Sequence, residues 1–147
     1  MTDTKPTIPP HLTPHARALG LELVSVGAAE ATLKAPYRAE LVGDPDTGVI
    51  AGGVVTTLLD QTCGHAVFAA LDRPQSIATL DLRIDYTRPA KPGQPVFAHA
   101  RCYRLTRTVA FVRASAYDEN TNDPVATAQA VFMLTAGEPV AQSSGRG

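Results

Sequence analysis

From Thr47 to Leu71 the chain carries one formal charge, Asp60. The sequence is 18% charged, so an even spread would put four or five charges in those 25 residues. A run this apolar has to be enclosed, by lipid or by protein. A membrane span needs about 20 apolar residues. Between Val49 and Leu71, however, Asp60, Gln61 and His65 sit near the middle, with Thr56, Thr57, Thr62, Cys63 and three glycines around them. An Asp at a helix centre costs roughly 2.5–3.5 kcal/mol on insertion. The run therefore reads as a helix buried inside a globular protein, with no membrane partner.

What encloses it follows from the rest of the chain. The 147 residues suit one domain with a real core. The pattern predicts one domain over residues 11–136, between polar tails at 1–10 and 137–147. Thr13-Pro14 suits the start of a short helix ended by Gly20. Strands are expected at Leu21–Val26 and Ala29–Ala35, and Pro36–Gly48 is expected as a loop. The long helix runs from Gly52 to about Leu71 and stops before Pro74. After it, Ala78, Leu80, Leu82, Ile84 and Tyr86 alternate with polar residues, the signature of a half-buried strand. Val96–Arg104, Thr108–Tyr117 and Val125–Leu134 follow, each with alanines on one face. Small residues let a curved sheet close tightly over a thick object, and the charge-poor helix is that object. The fold class is α+β, an antiparallel sheet wrapped around one long central helix.

Several function classes are excluded. Net charge is −1, there is no Trp, and aromatics are 5%, which leaves no basic footprint and few stacking platforms for nucleic acid. Cys63 and Cys102 form no disulfide or zinc pattern. His11 and His15 flank Pro14 without a companion Glu, so no metal is expected. No nucleophile-elbow, P-loop or dinucleotide motif occurs. Residues 1–10 lack a signal pattern, and a cytoplasmic protein is expected. The charged fraction, below the ~25% of an ordinary domain, points to an oligomer.

Helical spacing puts Gly53, Thr56, Thr57, Asp60 and Gly64 on one stripe, with Leu58, Leu59 and Phe68 elsewhere. A carboxylate in so apolar a run must be paired, hydrogen-bonded or protonated, which suits general acid–base work. Ala51-Gly52-Gly53 at the helix entrance offers backbone N–H groups to a developing anion. Gly53 and Asp60 are roughly 10 Å apart along the axis, and a thioester lying along the face is expected to reach both.

The run Gly48-Val49-Ile50-Ala51-Gly52-Gly53-Val54-Val55-Thr56-Thr57-Leu58-Leu59-Asp60, with Thr79-Leu80-Asp81-Leu82, Tyr86-Thr87-Arg88-Pro89-Ala90 and Arg107-Thr108-Val109-Ala110, resembles hotdog-fold acyl-CoA thioesterases of the phenylacetic-acid-degradation (PaaI-like) group. The resemblance covers roughly residues 20–134 and implies a hydrolase acting on a medium-chain or aromatic acyl-CoA. No separate cofactor is implied, because CoA is part of the substrate. Asp60 would activate water or attack the thioester carbon, and Gly52 N–H would polarise the thioester oxygen. Thr79 would place the water, its side chain pointing to a neighbouring subunit. Gly53 and Thr56 would line the substrate, and Arg88, Arg104 and Arg107 would meet the CoA phosphates. Family members are homodimers or homotetramers with sites at the dimer interface. One departure stands out: Ala51 occupies the position that is usually His. That motivates an alternative, a non-catalytic acyl-CoA-binding protein. An enoyl-CoA hydratase using Asp60 and His65 is less favoured, because residues five apart on a helix differ by about 140°. His65 reads as a core or interface residue.

Overall fold

The computed structural model describes residues 12–135, so the tails expected at 1–10 and 137–147, and His11, lie outside the described residues. In chain order the elements are α1 (Pro14–Ala18), β1 (Glu22–Gly27), β2 (Glu30–Ala35), a 3-10 turn (Ala39–Leu41), β3 (Val42–Asp44), β4 (Val49–Ile50), α2 (Gly52–Ala70), β5 (Ile77–Tyr86), β6 (Val96–Leu105), β7 (Val109–Tyr117) and β8 (Ala126–Leu134). Thr13 caps α1 by accepting from Ala16 N–H at 3.1 Å, and Gly20 ends it at φ +72°. The loop expected over residues 36–48 contains β3, which pairs with β4 in a small ribbon.

The main sheet has six strands in the order β1-β2-β6-β7-β8-β5, every neighbouring pair antiparallel. Its concave face is made of small side chains: Ala98 and Ala100 from β6, Ala110 and Ala116 from β7, and Ala126, Ala128 and Ala130 from β8 are all buried. The shallow lining lets the 19-residue helix α2 lie close against the sheet. Val55, Leu58, Leu59, Cys63, Ala66 and Val67 of α2 pack into it and are almost completely buried. A fully buried Leu contributes roughly 1.5–3 kcal/mol, so this face anchors the helix. The opposite side of α2 is only partly covered, by the edge strand β5: Gly52 and Gly53 are exposed, and Thr56, Thr57, Asp60 and Gln61 are half-buried.

β5 departs from the simple alternation in one respect. Thr79 pairs with Phe132 and Asp81 with Val131, so Leu80 is an extra residue, a β-bulge. Leu82, Ile84 and Tyr86 point to the helix side as expected, but before the bulge the phase reverses. Ile77 and Thr79 face inward, and Leu80 is left 56% exposed.

Candidate active site

The reversal decides where Thr79 goes. Its side chain turns to α2 of its own chain, not to a neighbouring subunit, and its hydroxyl donates to Asp60 Oδ1 at 2.8 Å. No cation stands within ion-pair distance of Asp60 among the described residues. The carboxylate that had to be paired, hydrogen-bonded or protonated is thus hydrogen-bonded through one oxygen, and Oδ2 has no protein partner among the described residues. Asp60 and Thr79 lie on a cavity of about 300 Å³ whose lining includes Gly64, Phe68, Ile77 and Phe132. Phe68 therefore shares the Asp60 side of the helix, contrary to its expected placement. Two turns separate them, enough to bring them onto one cavity.

The glycines at the start of α2 occupy open space. A Cβ on Gly53 would meet nothing within 4 Å, and one on Gly52 would lie 3.8 Å from Tyr86 Oη. Packing within the chain does not require glycine at either position. Their N–H groups, the first two of the helix, have no acceptor among the described residues. The Gly52 carbonyl, by contrast, is crowded. It accepts from Thr56 Oγ1 at 3.1 Å and from Tyr86 Oη at 2.9 Å, and the two hydroxyls lie 2.7 Å apart. Thr56 thus braces the first turn. Tyr86, which the sequence pattern marks only as an apolar-face strand residue, fixes that turn's orientation from 34 residues away, a separation no local pattern signals. A neutral hydrogen bond contributes roughly 0.5–1.5 kcal/mol net, and this one is solvent-accessible. Tyr86→Phe is expected to lower the melting temperature by only a few degrees. Any larger effect is expected on turnover, measured beside the melt.

Gly52 and Asp60 are eight residues apart, about 12 Å along the helix axis. One reacting carbon must lie about 3 Å from both nucleophile and oxyanion donor. The expectation that one thioester along this face reaches both groups of one chain therefore fails on length.

The arginines divide. Arg88 borders a second cavity beside Gly52 and Tyr86, yet its guanidinium is engaged by the chain itself. Nη1 and Nη2 donate to the two Asp118 oxygens at 2.9 and 2.7 Å, and Nη2 also donates to the Asp123 carbonyl at 2.8 Å. The Arg88 hydrogen bonds, with backbone N–H groups of Lys91 and Glu119, hold the Asp118 carboxyl well below the usual range. Arg88 is a structural anchor rather than a phosphate ligand, because its charge is already met. Arg104 and Arg107 are exposed and make no ion pair among the described residues. Arg107 borders Leu71 and Arg73 past the C-terminal end of α2, away from Gly52.

Other nucleophiles and ligands recede. Burial, with the Asp60 charge adding to it, pushes the Cys63 thiol up to about 12, so no thiolate forms at neutral pH. His65 is buried with Nδ1 2.9 Å from the Gln61 carbonyl, the i−4 contact of a core histidine, although its ring also lines the Asp60 cavity. No group of three or more His, Cys, Asp or Glu is arranged to hold a metal among the described residues. No described helix is long and apolar enough to cross a membrane.

Comparisons with known proteins agree with this architecture. The family model described as the thioesterase superfamily matches residues 47–125. The medium/long-chain acyl-CoA thioesterase YigI of Salmonella typhimurium is 31% identical over 82% of this chain and 85% of its own. A putative esterase of Halobacterium salinarum is 34% identical over 66% of this chain and 65% of its own, less than two thirds of either. Among solved structures, a Pseudomonas aeruginosa protein superposes with TM-score 0.76 at 40% identity, covering 82% of this chain and 90% of that one. A mutant form of the phenylacetic acid degradation protein PaaI from Thermus thermophilus superposes with TM-score 0.70 at 28% identity, covering 82% and 97%. The chain belongs to the thioesterase superfamily, in the PaaI-like hotdog group of thioester hydrolases.

Proposed function

We propose that the protein hydrolyses an acyl-CoA thioester, with a medium-chain or aromatic acyl group, to the free acid and CoA. The observation that carries the reading is the Asp60 carboxylate on the cavity it shares with Thr79, Phe68, Ile77 and Phe132. One oxygen is held by Thr79, and among the described residues the other has no partner and no cation neutralises the group. In this mechanism Asp60 takes a proton from water, and the oxygen attacks the thioester carbon. A free first-turn N–H of α2, that of Gly52, stabilises the oxyanion. Collapse breaks the C–S bond, and the departing thiolate takes the proton from Asp60. Thr79 keeps the carboxylate oriented so that its free oxygen meets the water. The YigI relatives, named medium/long-chain acyl-CoA thioesterases, support this substrate class. The test is CoA release from a panel of acyl-CoAs, and no release from any of them would reject the hydrolase reading.

The 12 Å gap between Gly52 and Asp60 is closed in this reading by a second copy. Among the described residues β5 is a ten-residue edge strand paired on one side only, by β8. Such an edge is a template for another chain, and joining two β5 edges about a two-fold axis would set two α2 helices antiparallel. Gly52 of one copy then faces Asp60 of the other, in a homodimer or a dimer of dimers. Subunit mixing tests this. Gly52→Pro removes the N–H at the first helical position, where proline is tolerated, and Ala51 before it is already extended at ψ 138°. Mixed with inactive Asp60→Asn, it should regain activity, because each mixed dimer contains one intact site. No recovery after verified exchange, or a monomer by light scattering, would reject the shared site.

A further inference from the structure

A third glycine of α2, Gly64, is buried in the helix interior. Glycine there weakens a helix relative to alanine. The chain's packing does not demand it. A methyl group at this position would lie 3.7 Å from Ile77 Cδ1 and 3.9 Å from Phe132 Cε1, which is ordinary van der Waals contact. What the missing side chain leaves is space, and that space belongs to the 300 Å³ cavity that begins at Asp60 and Thr79.

We propose that this cavity takes the acyl chain of the thioester and that Gly64 sets how long a chain it admits. The inference rests on the acyl-CoA reading above and adds to it a residue that determines specificity. Asp60, Gly64 and Phe68 follow one another at turn spacing along α2, so the residues lining the cavity span about 12 Å of the helix axis. Ile77 and Phe132 form an apolar wall beside them. Thr13, Gln61 and His65 also line the cavity, the His65 ring with its Nδ1 held 2.9 Å from the Gln61 carbonyl. An acyl tail is the part of such a substrate that gains most from leaving water. The volume is at the lower end for ligand cavities, ~300–1,000 Å³. It suits an acyl chain of intermediate length better than an acetyl group, which would leave it empty, or a palmitoyl group, which would overrun it.

The experiment measures kcat/KM, and Kd by calorimetry, for acetyl-, butyryl-, octanoyl- and palmitoyl-CoA with wild type, Gly64→Ala and Phe68→Ala. One methylene of misfit in an apolar pocket changes selectivity by roughly 10–200-fold. The octanoyl-to-butyryl ratio is therefore expected to fall about tenfold or more in Gly64→Ala, and the palmitoyl-to-octanoyl ratio to rise in Phe68→Ala. Gly64→Ala should melt at or above the wild-type temperature, which separates a filled cavity from a damaged fold. Chain-length profiles of both variants that superimpose on wild type would overturn the inference. That is also the result expected if a side chain of a second copy fills the cavity. Failure of wild type to release CoA would reject the hydrolase reading alone, since the Kd ladder still reports whether Gly64 limits the chain.

Discussion

Asp60→Asn is expected to lower kcat by about 10²–10⁴-fold, the range contributed by a positioned general acid or base, while leaving the melting temperature nearly unchanged. The asparagine keeps the shape of the carboxylate, and its carbonyl oxygen can still accept from Thr79, so the 2.8 Å contact survives. What is lost is the proton acceptor and the negative charge. Steady-state CoA release and a thermal melt on the same preparation check both halves. Turnover within a few fold of wild type would remove Asp60 from the chemistry. A large fall in melting temperature would instead mark Asp60 as a structural residue.

The largest stability effect is expected far from the helix, at Asp118. Its side chain is 1% exposed and receives both Arg88 nitrogens and the N–H groups of Lys91 and Glu119. These bonds clamp the β7–β8 connection to the segment after β5. Removing one partner of a buried pair leaves the other charge uncompensated, typically at 3–5 kcal/mol. Arg88 keeps part of its guanidinium in water, so the lower end applies, and Asp118→Ala is expected to destabilise by about 3 kcal/mol. Chemical denaturation measures this; a change below about 1 kcal/mol would show the clamp to be no more than a surface ion pair. The pH dependence has a definite sign. The Asp118 carboxyl titrates lower in the folded state than its ordinary value, through the Arg88 hydrogen bonds first. Its contribution is therefore complete above the ordinary carboxylate range and lost as pH falls below about 4. Wild type and Asp118→Ala should converge in stability under acid.

Local patterns carry much of this structure. The alternation in β6, β7 and β8, the alanine face, the enclosed helix and the position of Asp60 all follow from periodicity and charge, because each is set by residues close in sequence. What escapes them depends on partners far away or on one inserted residue. The Leu80 bulge cannot be read from alternation, because Ala78, Leu80 and Leu82 continue the apolar phase as if nothing intervened, and alternation therefore assigns Thr79 to the wrong face. Arg88 looks available because its partners, Asp118 and Asp123, lie 30 or more residues on. Tyr86 is hidden for the same reason. Phe68 falls outside a narrow helix stripe, yet its long side chain reaches the cavity that the stripe borders.

The bulge gives β5 two phases within one strand. Beyond Leu80 the inward side chains serve the core, and before it they serve the carboxylate. The bulge therefore decides which side chains of β5 meet the helix before Leu80. Regular pairing without the bulge, with Leu80 opposite Phe132, would leave the sheet able to pair and the composition unaltered, while turning Ile77 and Thr79 to the outside and leaving Asp60 without its hydroxyl. The register of β5 thus decides what surrounds Asp60 as much as the residues themselves do.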